Sequence, residues 1–179
     1  MMDSIFIIGG ILVFLIFLLS LAIIHLGSVR DEINNRWYNL AEKLQYRQDM
    51  MPNLIETIRQ FIPSDKLNLH NGLIQTGIEA RNAAAKNIKP GADKIILEHE
   101  LSRIIAEMLK LGEKYESLGK STNFLELKKE FKDLYAGIEE LTKDYNNRVR
   151  GFNSILARPY NIPAALITKN KKKLIFEFE

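Results

Sequence analysis

The 179-residue sequence contains no cysteine and has only five prolines and one tryptophan. The absence of cysteine excludes disulfides, thiolate nucleophiles and cysteine-ligated metals, and is compatible with a reducing cytoplasm. The net charge of +3 is small. Such a slight basic excess suits a protein near anionic lipid headgroups, but it does not indicate nucleic-acid binding. We therefore expect no nucleic-acid partner.

Charge is also missing from one long stretch near the N-terminus. Residues 5–26 contain no Lys, Arg, Asp or Glu. About 20 apolar residues at about 1.5 Å each cross a hydrocarbon core of roughly 30 Å. A cleaved signal peptide is the alternative, but the stretch lacks a basic start and a small-residue cleavage site. We predict a retained transmembrane anchor over 5–26, preceded by a short extracytoplasmic segment, 1–4.

The cations that flank this stretch predict its orientation. No Lys or Arg precedes it, whereas four follow within a short distance: Arg30, Arg36, Lys43 and Arg47. The positive-inside rule then places the N-terminus outside and the remaining chain in the cytoplasm. We expect a membrane protein that spans the bilayer once.

The residues after the anchor show a helical period. Apolar residues recur every seven positions on both sides of Pro52: Trp37, Leu44, Met51 and Ile58. Because a loop at Pro52 would let this register slip, we predict one helix, kinked at Pro52 and ending at Phe61–Ile62. The proline leaves the carbonyl of Gln48 without its usual helical donor, so this carbonyl is an acceptor for Arg or Asn from a neighbouring helix.

Further helical stripes follow. Ser64 or Asp65 is the expected N-cap of the second helix, "NIKPGAD" is the expected loop before the third, and Thr122 or Asn123 is the expected cap of the last. The predicted fold is all-α, an N-terminal transmembrane helix followed by an antiparallel bundle of about four long helices over 27–158. Residues 159–179 form a C-terminal tail with a basic run, Lys169 to Lys173.

The sequence offers near misses rather than catalytic motifs. His99 and Glu100 begin an H-E-x-x-H pattern, but Arg103 occupies the position of the second zinc ligand. Neither His70 nor His99 has the Glu-x-x-His spacing of a di-iron bundle. We expect no catalytic residue, no metal site and no cofactor, and hence a non-enzymatic protein.

Several polar residues interrupt the apolar stripes. Arg47 and Gln48 do so in the first helix, Arg81 in the second, and Asn146 in the last. A buried guanidinium without a partner is very costly, so these residues must be paired or reach water. One interpretation is a structural cluster that fixes the helix register. The other is a recognition site near Pro52.

Five motifs occur in an order that resembles the LemA family of bacterial membrane proteins. They are "RQDMMPNLIETI", Ala80–Arg81, "EKYESLGKSTNFLEL", "YNNRVRGFN" and "NIPAALI". The candidate cluster that follows from the motif positions and the interrupted stripes is Arg47, Asp49, Pro52, Asn53, Arg81, Tyr145 and Asn146. The resemblance implies a bacterial inner-membrane protein with a helical cytoplasmic domain, no established enzymatic activity and no known cofactor.

The chain departs from the family pattern in the last helix. Tyr135 and Ala136 stand where the pattern has a Glu-Asn pair, and Thr142 stands where it has an Arg. If the buried arginines of the family rely on that Glu, this chain must satisfy Arg47 or Arg81 with other groups. The expected partners are Asp49, Glu139, Glu140 or backbone carbonyls.

The leading functional hypothesis is a scaffold or adaptor for other envelope or membrane proteins, with a protein partner in the cell envelope. Self-association through the long last helix is a second partner expectation. Two alternatives are an accessory factor of a membrane protease or hydrolase and a lipid-surface organiser that uses the basic tail.

Overall fold

The computed structural model describes the backbone of residues 2–87 and 89–177, with side chains from residue 6 onward. Within these ranges every regular element is a helix and no strand occurs. The all-α prediction is therefore confirmed. The last described residues of the tail, 174–177, form neither a strand nor a helix.

The α-helices, in chain order, are α1 (Met2–Phe61), α2 (Ser64–Leu67), α3 (Asn71–Lys86), α4 (Ala92–Lys114), α5 (Glu116–Gly119), α6 (Thr122–Leu156) and α7 (Ile162–Ile167). Two short 3₁₀ helices lie at Asn68–His70 and Pro159–Asn161. Ile88, in the predicted loop before α4, lies outside the described residues.

The predicted anchor and the amphipathic helix after it are one element, α1. This helix continues through Pro52 and ends at Phe61, as predicted. Among the described residues, α1 is the one helix that is long and apolar enough to cross a membrane, by length and composition. Its apolar N-terminal part is exposed, which is consistent with a membrane-spanning segment.

Two predicted helix starts were wrong in detail. The second helix is divided into α2, a 3₁₀ turn and α3, and neither Ser64 nor Asp65 caps it with a side chain. For α6 the capping hydroxyl is that of Ser121, which accepts a hydrogen bond from the backbone N–H of Phe124 at 3.1 Å. A side-chain oxygen at this position satisfies one of the free donors of the first turn.

The chain divides into two compact units. The first comprises the described residues of Met1–Arg36 and Tyr145–Ile175, and the second those of Trp37–Asp144 and Phe176–Glu179. The core of the first unit includes Leu26, Val29, Ile33, Val149 and Phe152. The core of the second includes Leu40, Leu44, Met51, Leu54, Ile58, Leu101, Ile104, Met108, Phe124, Phe131 and Ile138.

Part of the C-terminal tail is packed rather than solvated. In the second unit, Phe176 is buried and meets the ring of Trp37 edge-on, with 5.5 Å between centroids. In the first unit, the side-chain amide of Asn153 donates to the backbone carbonyl of Lys173 and accepts from its backbone N–H, each at 2.9 Å. The ammonium of Lys173 donates to the side-chain oxygen of Asn34. The basic run is therefore not uniformly exposed, because Lys173 is tied to the protein.

Candidate functional site

The guanidinium of Arg47 is fully buried in the second unit. One of its terminal nitrogens donates to the carboxylate of Glu98, and the other donates to the hydroxyl of Ser102 at 2.5 Å. The ring of Tyr135 lies beside it, with its centroid 5.4 Å from the guanidinium carbon. The contacts tie α1 to α4 and α6 through a single side chain.

The Glu98 carboxylate is the centre of this cluster. Besides pairing with Arg47, it accepts a hydrogen bond from the side-chain amide of Gln48 at 2.8 Å. It also forms an ion pair with the ammonium of Lys94 at 2.5 Å. Lys94 also donates to the backbone carbonyl of Ala84, at the end of α3, at 2.9 Å. Lys94 and Glu98 are both buried. We call these four side chains, Arg47, Gln48, Lys94 and Glu98, the buried charge cluster.

The charges and hydrogen bonds of the buried charge cluster limit the chemistry that its carboxylate can perform. It contains two cations and one carboxylate, and every carboxylate oxygen is engaged by donors. A carboxylate held in this way has no free lone-pair direction facing solvent and is poorly placed to act as a general base. The arrangement links α1 to α4 and, through Lys94, to the end of α3.

The expected partners of Arg47 were partly right. The expected backbone acceptor is the carbonyl of Glu98, at 3.3 Å, whereas the paired carboxylate, Glu98, was not among the expected ones. The Tyr135 ring of α6 lies beside the guanidinium, and the carboxylate comes from Glu98 in α4. Lys94, Glu98 and Ser102 were not among the predicted site residues.

Arg81 behaves as the sequence predicted. Its Nε donates to the carbonyl of Gln48 at 3.0 Å, the carbonyl that Pro52 leaves without a helical donor. A terminal nitrogen lies 3.4 Å from the half-exposed Asp49 carboxylate. The helix defect at Pro52 is thus compensated from α3.

A double-mutant cycle tests this compensation. We expect Arg81→Ala to cost about 0.5–1.5 kcal/mol of unfolding free energy, the usual net value of one hydrogen bond. In a Pro52→Ala background the new amide at position 52 can serve the Gln48 carbonyl, so the same substitution should cost less. Denaturant unfolding of the four variants measures the coupling. Equal costs in both backgrounds would show that Arg81 does not act through this carbonyl.

Pro52 and Asn53 are exposed and lie on the same helix as Arg47. The Asn53 carbonyl accepts from the hydroxyl of Thr57 at 2.8 Å, and that hydroxyl accepts from the amide of Asn123 at 2.8 Å. This chain of bonds ties the second half of α1 to the start of α6. Along α1 it begins about one and a half turns beyond Gln48, the last α1 residue of the buried charge cluster.

Tyr145 and Asn146, the remaining predicted site residues, belong to the first unit and are buried there. Burial raises the pKa of Tyr145 to about 12, so its hydroxyl stays protonated at neutral pH. The second unit holds Arg47, Asp49, Pro52, Asn53 and Arg81. The predicted residues therefore divide between the two units.

An open groove of about 940 Å³ runs along α4 in the second unit. Its walls are largely apolar and include Ile95, Ile96 and Leu97, with Glu100 and Arg103 among the lining residues. Ser102 and Tyr135 line the groove and also contact the guanidinium of Arg47. The groove is thus built on the side chains that hold the buried charge cluster.

The described side chains contain no group of three or more His, Cys, Asp or Glu residues that could hold a metal ion. His99 instead donates from Nε2 to the backbone carbonyl of Glu177 at 2.8 Å. Glu100 is paired with Arg103, whose guanidinium also holds Glu107, and this pairing lowers the pKa of Glu100.

These features define an all-helical protein with one long apolar N-terminal helix, an arrangement consistent with a membrane protein. The family profile described as "LemA family" matches residues 36–179. The chain therefore belongs to the LemA family, which confirms the resemblance found in its motifs. The search among curated proteins returned no match.

Proposed function

We propose that this protein is a non-enzymatic, single-pass protein of a bacterial inner membrane that serves as a scaffold or adaptor for another membrane or envelope protein. The N-terminal part of α1 is the span, with the N-terminus outside and the helices after residue 26 in the cytoplasm. The absence of cations before the span and their number after it support this orientation.

The observation that carries the adaptor proposal is the groove along α4. Ile96 is 65% exposed at its edge, although such a residue is normally buried. A concave apolar surface of this kind fits the apolar face of an amphipathic helix. Ser102 and Tyr135 line the groove and are held by contact with the buried guanidinium of Arg47, so less ordering is needed when a partner binds.

The charges along the same face of α4 indicate the chemistry of the partner. Glu100 and Glu107 both pair with Arg103, so these three residues together carry one excess negative charge. A partner helix that places basic residues beside its apolar stripe would complement both features. The predicted occupant is therefore a basic, amphipathic helix of another envelope protein.

Site-specific photo-crosslinking in native membranes tests the proposal. A photoreactive residue at position 96 should crosslink to a partner peptide that is apolar on one face and basic beside it. The same residue at position 69 is the matched control, because Leu69 is 75% exposed and does not line the groove. We expect the partner band at position 96 and its absence at position 69.

Three outcomes would contradict the adaptor proposal. They are the same crosslinks at both positions, no crosslink at position 96, and crosslinks only to a second copy of this chain. The last would establish self-association in its place. Ile96→Glu should weaken a genuine partner band several-fold without changing the thermal unfolding midpoint, since Ile96 contributes little to the core.

A further inference from the structure

A second groove lies in the first unit, on the apolar part of α1. Its volume is about 750 Å³, and it is lined on one side by α1 from Leu15 to His25 and on the other by Tyr160, Asn161 and Pro163. The chain just beyond α6 therefore returns to the side of the apolar helix. None of the sequence patterns predicted this approach.

The position of this groove along α1 determines its depth in the membrane. Leu15 and His25 are about 10 residues apart, which is about 15 Å of helix. That is half of a roughly 30 Å hydrocarbon core, measured from the end of the apolar run. If α1 spans the membrane as proposed above, Tyr160 and Pro163 line a groove at the depth of the leaflet on the C-terminal side.

The returning segment is held firmly by the protein. Asn161 is buried and donates from its side-chain amide to the carbonyl of Ile155 at 3.0 Å, across the turn after α6. Ala164 is fully buried, and its carbonyl accepts from the Thr168 hydroxyl at 2.7 Å. The Asn161 bond joins the segment to the end of α6, and the burial of Asn161 and Ala164 shows which side of the segment faces the protein.

The exposed side chains of this segment are apolar. Leu166 is 73% exposed, and Tyr160, Ile162 and Ile167 are also open to the surroundings. Apolar side chains clustered on one short segment mark a surface that contacts something other than water. Their location beside the apolar part of α1 makes the lipid of the same leaflet the simplest contact.

Cations at both ends of the segment match an anionic lipid surface. Arg158 precedes it and donates to the Tyr160 hydroxyl at 2.9 Å, while Lys169, Lys171 and Lys172 follow it and are exposed. Tyrosine, arginine and lysine are the residues that anchor protein segments at the headgroup level. Lys173 is excluded from this role because it donates to Asn34.

We propose that Pro159–Ile167 is a second membrane-inserted element. It lies in the leaflet on the C-terminal side of the span, with Ile162, Leu166 and Ile167 among the acyl chains and its flanking cations at the headgroups of anionic phospholipids. An acyl chain of such a lipid fills the groove between this segment and α1. The inference rests on the proposed span and adds a lipid-binding site to it.

Spin labelling of the full chain tests the inference directly. Because the protein has no cysteine, Ile16→Cys, Leu166→Cys and Leu69→Cys each provide one labelling site without further changes. The labelled proteins are reconstituted into vesicles of phosphatidylethanolamine and phosphatidylglycerol. Collision with oxygen, which concentrates in the bilayer, is compared with collision with a water-soluble nickel chelate.

The three positions separate the inference from the function on which it rests. We expect the ratio of oxygen to nickel collisions at positions 16 and 166 to exceed that at position 69 several-fold. Leu69 is the matched control, since its exposure of 75% nearly equals that of Leu166. A water-exposed label at position 16 would overturn the span itself.

Two results would overturn the inference while leaving the span intact. A lipid-exposed label at position 16 with a water-exposed label at position 166 would place α7 in solution. Low collision with both reagents at position 166 would instead show that α7 is covered by protein, as in an interface between two copies of the chain. The expected result, high oxygen and low nickel collision at both positions, is found only in lipid.

Discussion

Replacing Glu98 with glutamine is expected to lower the unfolding free energy of the second unit by about 3–5 kcal/mol, the typical cost of removing one partner from a buried ion pair. The substitution removes the carboxylate that pairs with both Arg47 and Lys94 in the buried charge cluster. It also leaves the size of the side chain almost unchanged. The loss can therefore be attributed to charge rather than to a cavity.

The measurement uses the only tryptophan of the chain. Trp37 is buried in the second unit, so its fluorescence follows the unfolding of this unit in detergent solution. Glu100→Gln is the control, because Glu100 pairs with Arg103 near the surface and an exposed pair is worth about 1 kcal/mol or less. Similar losses for the two variants would mean that Glu98 does not carry the buried charge.

A second substitution tests the charge balance of the cluster. Adding Lys94→Met to Glu98→Gln removes one of the two buried cations that lose the Glu98 carboxylate, so the double variant should be more stable than Glu98→Gln alone. Arg47→Ala distinguishes the two interpretations of the cluster that the sequence left open. A structural cluster requires a lower unfolding midpoint, whereas a recognition site requires an unchanged midpoint with loss of the partner crosslink.

The all-α fold followed from the sequence because its signals are local. The apolar residues around Pro52 kept a seven-residue register, and this register predicted a helix that the structure continues to Phe61. The same local argument predicted an unsatisfied carbonyl at Gln48, which Arg81 occupies. A helical defect can be read from the sequence, since a proline always removes the same backbone donor.

Local sequence signals did not predict that Glu98 is the counter-charge of Arg47. A row of residues through Leu97 and a row through Lys94 and Glu98 are alternatives for the inward face of α4, and Leu97 is half-buried whereas Lys94 and Glu98 are buried. Leu101 belongs to both rows, because it lies four residues after Leu97 and three residues after Glu98, and both spacings place residues on one face of a helix. Only contact with Arg47 on another helix determines which row faces inward.

The packed tail was missed for a related reason. Phe176 is one apolar residue in a short terminal stretch, and no periodicity extends far enough to show what it contacts. Its burial depends on the aromatic edge contact with Trp37, a residue 139 positions earlier in the chain. Such long-range contacts are properties of the folded chain and leave no local pattern.

Gly119→Ala is expected to destabilise the second unit by about 1–3 kcal/mol or more, the cost of overpacking a site that cannot relax easily. A Cβ at this position would lie 2.1 Å from the carbonyl oxygen of Gly112. That oxygen is main chain of α4, so it cannot rotate away as a flexible side chain would. The close approach of α5 to α4 therefore requires glycine at position 119.

Gly137→Ala is the matched control and should have the opposite sign. Gly137 lies within α6, and a Cβ added there meets no atom within 4 Å. Alanine in a helix interior is more favourable than glycine by about 0.5–1 kcal/mol, because glycine loses more backbone entropy on folding. Trp37 fluorescence during denaturant unfolding measures both variants, and a Gly119→Ala protein as stable as the parent would show that α5 does not pack this closely against α4.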